Sequence, residues 1–145
     1  RGGQRITQEL IDVPETFDDF ESVVTYMSGG NRFASDAVLR RRLQYATREL
    51  ASGKIGWRYD LAIREQRRNN TAAPSEDLWP LLPNILCPTL VIRGLETDLL
   101  PREVADRMVA TIPTARISEV NKAGHMVFED NPDEFIPILK DWLAA

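Results

Sequence analysis

The sequence has little cysteine, little histidine and no set of acidic residues spaced as in a calcium-binding loop. Cys87 is the only cysteine, which excludes an intramolecular disulfide. His125 is the only histidine. One cysteine and one histidine are too few for a zinc site built from cysteine and histidine clusters. Carboxylates remain as ligands for a hard cation, but no segment repeats the required spacing. We expect neither a metal nor another cofactor.

Long apolar runs are also missing. The most apolar stretch, residues 81–92, is interrupted by Pro83, Asn84 and Pro88, so no transmembrane helix fits it. With 43% hydrophobic and 28% charged residues over 145 positions, the composition is typical of a soluble globular chain. The N-terminus has no initiator Met and neither a charged n-region nor an apolar h-region. We expect a cytoplasmic protein that contacts no membrane. The missing initiator Met suggests that the sequence begins at an internal position of a longer chain.

Charge is unevenly distributed along the chain. The net charge is −4, and all of it falls in residues 81–145. Residues 40–68 carry nine basic side chains against three acidic ones. Acidic residues flank this segment and the isoelectric point is about 5.1, which disfavours a nucleic-acid surface. We interpret the segment as a solvated helical face, with a phosphate-binding patch as the alternative.

The pattern changes near Pro80, which predicts two regions. Residues 1–80 are predicted to be mostly helical, and residues 81–145 to form an α/β structure. In the first region the apolar spacing and the stop signals predict helices over 18–27, from Ser35 to Gly53, and over 61–68. Residues 54–59 are ambiguous and fit a short extended piece with Trp57 turned inward. The polar segment 69–74 predicts a loop or hinge.

The second region alternates between strand and helix patterns. Residues 89–92 are continuously apolar, which is typical of a buried parallel strand, and residues 115–120 predict a weaker strand near a sheet edge. Pro101 fits the first turn of a helix between them, and residues 131–134 provide the start of a terminal helix. The sequence therefore predicts two parallel strands with flanking helices.

Two polar residues follow the predicted strands. Asp98 follows the first strand and His125 the second, and parallel strands about 4.8 Å apart open both loops on the same sheet edge. A carboxylate there can accept a hydrogen bond from imidazole Nδ1 and stabilise the imidazolium formed when the other nitrogen takes a proton. In the alternatives, His125 is an ordinary turn residue and Asp98 caps the helix near Pro101. Glu96 is a second candidate for the acid.

Residues 87–94, Asp98 and residues 123–132 resemble the C-terminal part of α/β-hydrolase fold enzymes. In that family the catalytic acid follows a late strand and the histidine follows the last one, in the chain order nucleophile, acid, histidine. The resemblance implies that Asp98 is the acid and His125 the base. It also implies that residues 1–80 correspond to a helical cap over the site, and residues 81–145 to the C-terminal part of the core.

The family's nucleophile is not found in this sequence. It normally lies on a strand–turn–helix elbow with the pattern Gly-x-Ser-x-Gly, which is absent here. Ser28 lacks the first glycine and follows a helical pattern, and the other serines fit no better. Cys87 precedes a buried strand and is interpreted as a small core residue. We therefore expect the cap and C-terminal half of a larger enzyme, whose nucleophile and N-terminal half lie outside these residues.

The resemblance implies a hydrolase that acts on a small organic substrate, with ester-type hydrolysis favoured, and a chain that is inactive by itself. One alternative is a non-catalytic binding protein with the same fold. Another is an unrelated α/β domain such as a nucleotide binder, which no glycine-rich phosphate motif supports. The expected partners are the substrate and the missing N-terminal half, without nucleic acid. A homo-oligomer stays open.

Overall fold

The structure, a computed structural model, describes residues 2–30, 32–69 and 76–144. The chain divides into two compact units, residues 1–73 and 74–145. The first unit contains α1 (Gly2–Asp12), β1 (Thr16–Phe17), α2 (Phe20–Ser28), α3 (Asp36–Ala46), β2 (Thr47–Glu49), β3 (Ile55–Trp57) and α4 (Ala62–Arg68). The second contains a 3₁₀ helix (Trp79–Asn84), β4 (Thr89–Gly94), α5 (Arg102–Thr111), β5 (Ala115–Val120), α6 (Val127–Asp130) and α7 (Pro132–Ala144). None of the described helices is long and apolar enough to span a bilayer.

Two helices of the first unit begin where the sequence supplies an N-cap. The Asp19 carboxylate accepts a hydrogen bond from the Ser22 backbone N–H at 2.7 Å, and the Ser35 hydroxyl accepts one from the Val38 N–H at 3.3 Å. Each bond satisfies a backbone donor that the first turn of a helix leaves without an intrahelical partner. The predicted helices over 18–27 and 61–68 are confirmed, and so is the predicted start of a helix at Ser35.

The core of the first unit lies between the helices and a small antiparallel sheet with the strand order β1-β3-β2. Val23, Leu39 and Leu43 are fully buried there. Trp57 lies edge-on to Phe17, with ring centroids 5.9 Å apart, and its Nε1 donates to a backbone carbonyl. The predicted inward orientation of Trp57 is confirmed.

The helix predicted from Ser35 to Gly53 is too long, because it ends at Ala46. Thr47 instead begins β2 and pairs with Trp57 of β3. Gly53, at a φ of +79°, lies in the turn between these strands, in a region that favours glycine. The apolar spacing continues past Ala46, but pairing with the strand that buries Trp57 outweighs it.

The basic segment 40–68 is not solvated throughout, so that interpretation is wrong at Arg64. This side chain is 4% exposed. Its Nη2 donates to the Ile11 carbonyl at 2.6 Å and also to the Val13 carbonyl, both at the C-terminal end of α1. A cation is stabilised at that end of a helix by the partial negative charge of the last carbonyls. Arg64 therefore joins α4 to α1.

The two strands of the second unit pair in parallel, from Thr89 opposite Ala115 to Gly94 opposite Val120. Helix α5 connects them, and α7 packs against β5. Val120, Ala123 and Val127 are buried, with Ile92, Phe135 and Ile138 packed against them. Both predicted strands and the helices predicted after Pro101 and after Asn131 are confirmed.

Cys87 is exposed, so its interpretation as a core residue is wrong. It lies two residues before β4 begins, outside the packed part of the strand. Its backbone carbonyl accepts hydrogen bonds from the hydroxyls of Thr89 and Thr114. The backbone of Cys87 therefore contacts residues at the start of β4 and just before β5.

The end of β4 lies against the loop that follows β5. A Cβ added at Gly94 would overlap the backbone carbonyl oxygens of Ala123 and Gly124. Two positions further along, the Glu96 N–H donates to the Ala123 carbonyl at 2.9 Å. Only glycine allows this approach, because any side chain would push the two loops apart.

We expect Leu39→Ala to lower the free energy of unfolding by about 2–5 kcal/mol, because Leu39 is 1% exposed and its loss leaves a cavity. Chemical denaturation followed by circular dichroism measures this. Leu143→Ala is the matched control, since Leu143 is 74% exposed and its replacement should change stability by less than about 0.5 kcal/mol. Equal losses for the two variants would contradict the described core.

We expect Gly94→Ala to lower the free energy of unfolding by about 2 kcal/mol or more, because the new methyl group overlaps backbone atoms that cannot rotate away. Gly30→Ala is the control, because a Cβ at Gly30 meets no atom within 4 Å. The same denaturation experiment measures both variants. A Gly94→Ala protein as stable as the Gly30→Ala protein would show that the two loops are not in close contact.

Candidate active site

The acid loop, residues 95–101, connects β4 to α5 and carries Asp98. Asp98 is exposed and lies four residues after the end of β4 at Gly94. The turn before it is closed by a hydrogen bond from the Thr97 N–H to the Gly94 carbonyl at 3.2 Å. The Thr97 hydroxyl then accepts from the Leu99 N–H at 3.2 Å. These bonds shape the backbone on both sides of the carboxylate.

A buried arginine contacts the far end of the acid loop. Arg93 is 8% exposed, and its Nε donates to the Leu100 carbonyl at 2.7 Å. Its Nη1 donates to Glu119 on β5 at 2.8 Å, and the other oxygen of Glu119 accepts from Arg102 at 2.7 Å. Hydrogen bonding to Asp106 and the negative charges of Asp106 and Glu119 raise the pKa of the Arg102 guanidinium. Arg93 thus connects the loop to the second strand.

The histidine loop, residues 121–126, connects β5 to α6 and carries His125, which is exposed. Lys122 adopts a φ of +48°, a left-handed conformation that is uncommon outside glycine and is concentrated at functional sites. The Gly124 N–H, directly before His125, donates to the carboxylate of Asp130 at 2.8 Å. A side chain of α6 therefore fixes the backbone next to the histidine.

The start of the histidine loop is held by the first turn of α7. Glu134 accepts from the backbone N–H and from the side-chain amide of Asn121, both at 2.9 Å. Asn131 donates to the Asn121 carbonyl at 2.8 Å, and its own side-chain oxygen accepts from the Glu134 N–H at 3.3 Å. Both backbone groups of Asn121 therefore have side-chain partners, which hold the strained turn in place.

The two loops meet at the carboxyl ends of the strands. Since β4 and β5 end in register at Gly94 and Val120, both loops leave the sheet at the same edge. The N-cap of α5 is Pro101, without a side-chain cap, which disfavours Asp98 as the cap of this helix. That Asp98 and His125 act as a catalytic pair stays a prediction.

The sequence analysis missed Arg93, Glu119 and Asp130. A signal existed for the first two, because each occupies the last position but one of its strand, Arg93 before Gly94 and Glu119 before Val120. Aligning the two strands at their ends would have placed the opposite charges side by side. No sequence signal pointed to Asp130, whose contact depends on the four-residue helix α6.

The arrangement suits proton transfer at the sheet edge. An exposed imidazole can take a proton from a hydroxyl nucleophile, and a carboxylate from a neighbouring loop can orient it. Among residues 2–30, 32–69 and 76–144, no group of three or more histidine, cysteine, aspartate or glutamate side chains is placed to hold a metal ion.

Comparisons with known proteins agree on one family. The family model described as "Alpha/beta hydrolase family" matches residues 7–138. Among curated relatives, the pimeloyl-[acyl-carrier protein] methyl ester esterase of Serratia marcescens is 36% identical over 69 residues. This match covers 48% of the chain and 27% of that esterase.

Two solved structures resemble the whole chain. An E-2-(acetamidomethylene)succinate hydrolase matches with a TM-score of 0.81 and 18% identity, over 98% of this chain and 52% of that one. An esterase of Mycobacterium tuberculosis matches with a TM-score of 0.75 and 24% identity, over 99% of this chain and 48% of that one. At these identities the likeness shows the fold alone, and the chain spans about half the length of each structure.

The family model covers most of the chain, and both structural neighbours share its fold. The strands β4 and β5 with their flanking helices form part of an α/β-hydrolase fold. The protein belongs to the alpha/beta hydrolase family.

Proposed function

We propose that this chain supplies the acid and the base of a nucleophile–acid–histidine triad that hydrolyses ester bonds in small organic substrates. His125 is the base and Asp98 is the acid. The observation that carries the proposal is the backbone contact at the sheet edge, where the Glu96 N–H donates to the Ala123 carbonyl. It brings together the loops that carry the two side chains, at the edge where parallel sheets place their sites.

In the proposed reaction, His125 takes the proton of a nucleophile hydroxyl as its oxygen attacks the ester carbonyl carbon. The Asp98 carboxylate accepts a hydrogen bond from the other ring nitrogen and stabilises the resulting imidazolium. The bond from the carbonyl carbon to the leaving oxygen then breaks, and His125 gives its proton to the departing alcohol. Water repeats these steps on the acyl-enzyme and releases the acid.

The nucleophile of this proposal comes from outside these 145 residues. Two observations support this: the sequence has no Gly-x-Ser-x-Gly motif, and the chain spans about half of its structural neighbours. Residues 1–80 would then correspond to the helical cap region of the family. A cytoplasmic location is part of the same proposal.

The name of one curated relative supports ester hydrolysis. The Serratia marcescens protein is named a methyl ester esterase, and it is 36% identical to this chain over 69 residues. Family members share a fold more widely than a substrate, so the proposal extends to the ester bond and to no particular acyl group.

We expect His125→Ala and Asp98→Asn to lower kcat by about 10⁴-fold or more in the full-length protein, since the base or its orienting acid is lost. Hydrolysis of short-chain p-nitrophenyl esters measures this, with thermal melting to check folding. Glu96→Gln is the matched control, because Glu96 is the neighbouring acid of the same loop, and kcat should stay within about twofold. A normal rate in His125→Ala would refute the proposal, and a loss confined to Glu96→Gln would reassign the acid.

We expect the 145-residue chain by itself to hydrolyse p-nitrophenyl esters no faster than its own His125→Ala variant. A general base contributes about 10²–10⁴-fold, and only when it has a nucleophile to activate. Initial rates of the two purified chains, compared at equal concentration, measure the difference. A rate that depends on His125 would show that the nucleophile lies within these residues.

A further inference from the structure

We propose that Arg93 is a positioning residue for the catalytic acid: its guanidinium holds the acid loop against β5 and so sets the place of Asp98 relative to His125. This inference rests on the proposed function, in which Asp98 is the acid. Arg93 itself does not touch the reacting groups in this proposal. It acts through the backbone of the loop.

Arg93 is a buried cation. Arg93 is 8% exposed in a strand that is otherwise mostly apolar. Removing a guanidinium from water costs several kcal/mol unless charged or polar partners replace the water. Glu119, directly opposite in the strand register, supplies that partner at 2.8 Å. This pair fixes the guanidinium at the boundary between β4 and β5.

The guanidinium of Arg93 also contacts the acid loop. The Nε of Arg93 donates to the Leu100 carbonyl at 2.7 Å, at the far end of the acid loop. The near end is held by the Leu95 N–H on Val120 and by the Glu96 N–H on Ala123. The near end of the loop is therefore attached to β5 and the segment that follows it, and the far end is attached to Arg93, which pairs with Glu119 of β5. Asp98 lies midway between the two ends.

An arginine is needed to contact both the Leu100 carbonyl and Glu119. Its planar guanidinium points Nε–H at the loop and Nη1–H at Glu119 at the same time. A lysine keeps the positive charge near Glu119, but it has a single ammonium at the end of a flexible stem. Arg93→Lys therefore separates the charge from the attachment of the loop.

A second arginine next to Glu119 provides a matched control and keeps Glu119 paired when Arg93 is replaced. Arg102, at the start of α5, donates to the second oxygen of Glu119 at 2.7 Å. Glu119 thus keeps a cationic partner when Arg93 is replaced, and no carboxylate is left buried and unpaired. Arg102 forms ion pairs with Glu119 and Asp106.

We would test this in the full-length enzyme with p-nitrophenyl esters. Arg93→Lys should lower kcat by about 10- to 100-fold with KM within about twofold, because a displaced acid orients the histidine poorly. Arg102→Lys should leave kcat within about threefold. In an Asp98→Asn background, Arg93→Lys should cause less than about a twofold further loss, because its effect requires the carboxylate.

Several results would overturn the inference. One is an Arg93→Lys enzyme with normal kcat, and another is an equal fold-loss with and without Asp98, which would show a general effect on stability. If thermal melting shows that Arg93→Lys is not folded, Arg93→Met replaces it, because an apolar side chain of similar length fits a buried site. Arg93→Met should show the same loss of kcat. Normal activity in both Asp98→Asn and His125→Ala would instead refute the proposed function, independently of Arg93.

Discussion

The parallel pairing of β4 with β5 is the interaction on which the candidate site depends. The strands end together at Gly94 and Val120, so the loops that follow them leave the sheet side by side. The missing side chain of Gly94 lets the backbone at Ala123 approach closely. If the pairing shifted by one residue, the side chains of one strand would turn to the other face and the two loops would separate.

Polar side chains next to the two loops hold each loop in a defined position relative to the paired strands. Arg93 and Glu119 join the acid loop to β5, and Asp130 and Glu134 hold the histidine loop from the helices that follow it. A partly buried charge without a partner costs free energy. These side chains therefore keep their hydrogen bonds, and these bonds hold the two loops in place. Functional side chains carried on loops need this support from regular elements, since a loop alone does not hold a catalytic geometry.

Two errors of the sequence analysis, the length of the helix after Ser35 and the exposure of Arg64, have a common physical origin. The helix expected to reach Gly53 ends at Ala46 because β2 pairs with a strand eight residues further along the chain. Arg64 belongs to a basic segment, yet it is buried against the end of α1, a helix that the sequence patterns did not predict. In each case, a contact with a distant segment outweighs the local pattern.

The sequence by itself determined the elements with strong local signals: the helix that begins after Ser35, the two strands of the second unit, and the terminal helix after Asn131. It also determined which residues carry ionisable groups into the strand-end loops, because these follow from chain order. Only the tertiary structure decided how the loops are held. Glu119, one partner of Arg93, lies 26 positions away along the chain, and the two side chains meet because β4 and β5 pair in a register that places them opposite each other.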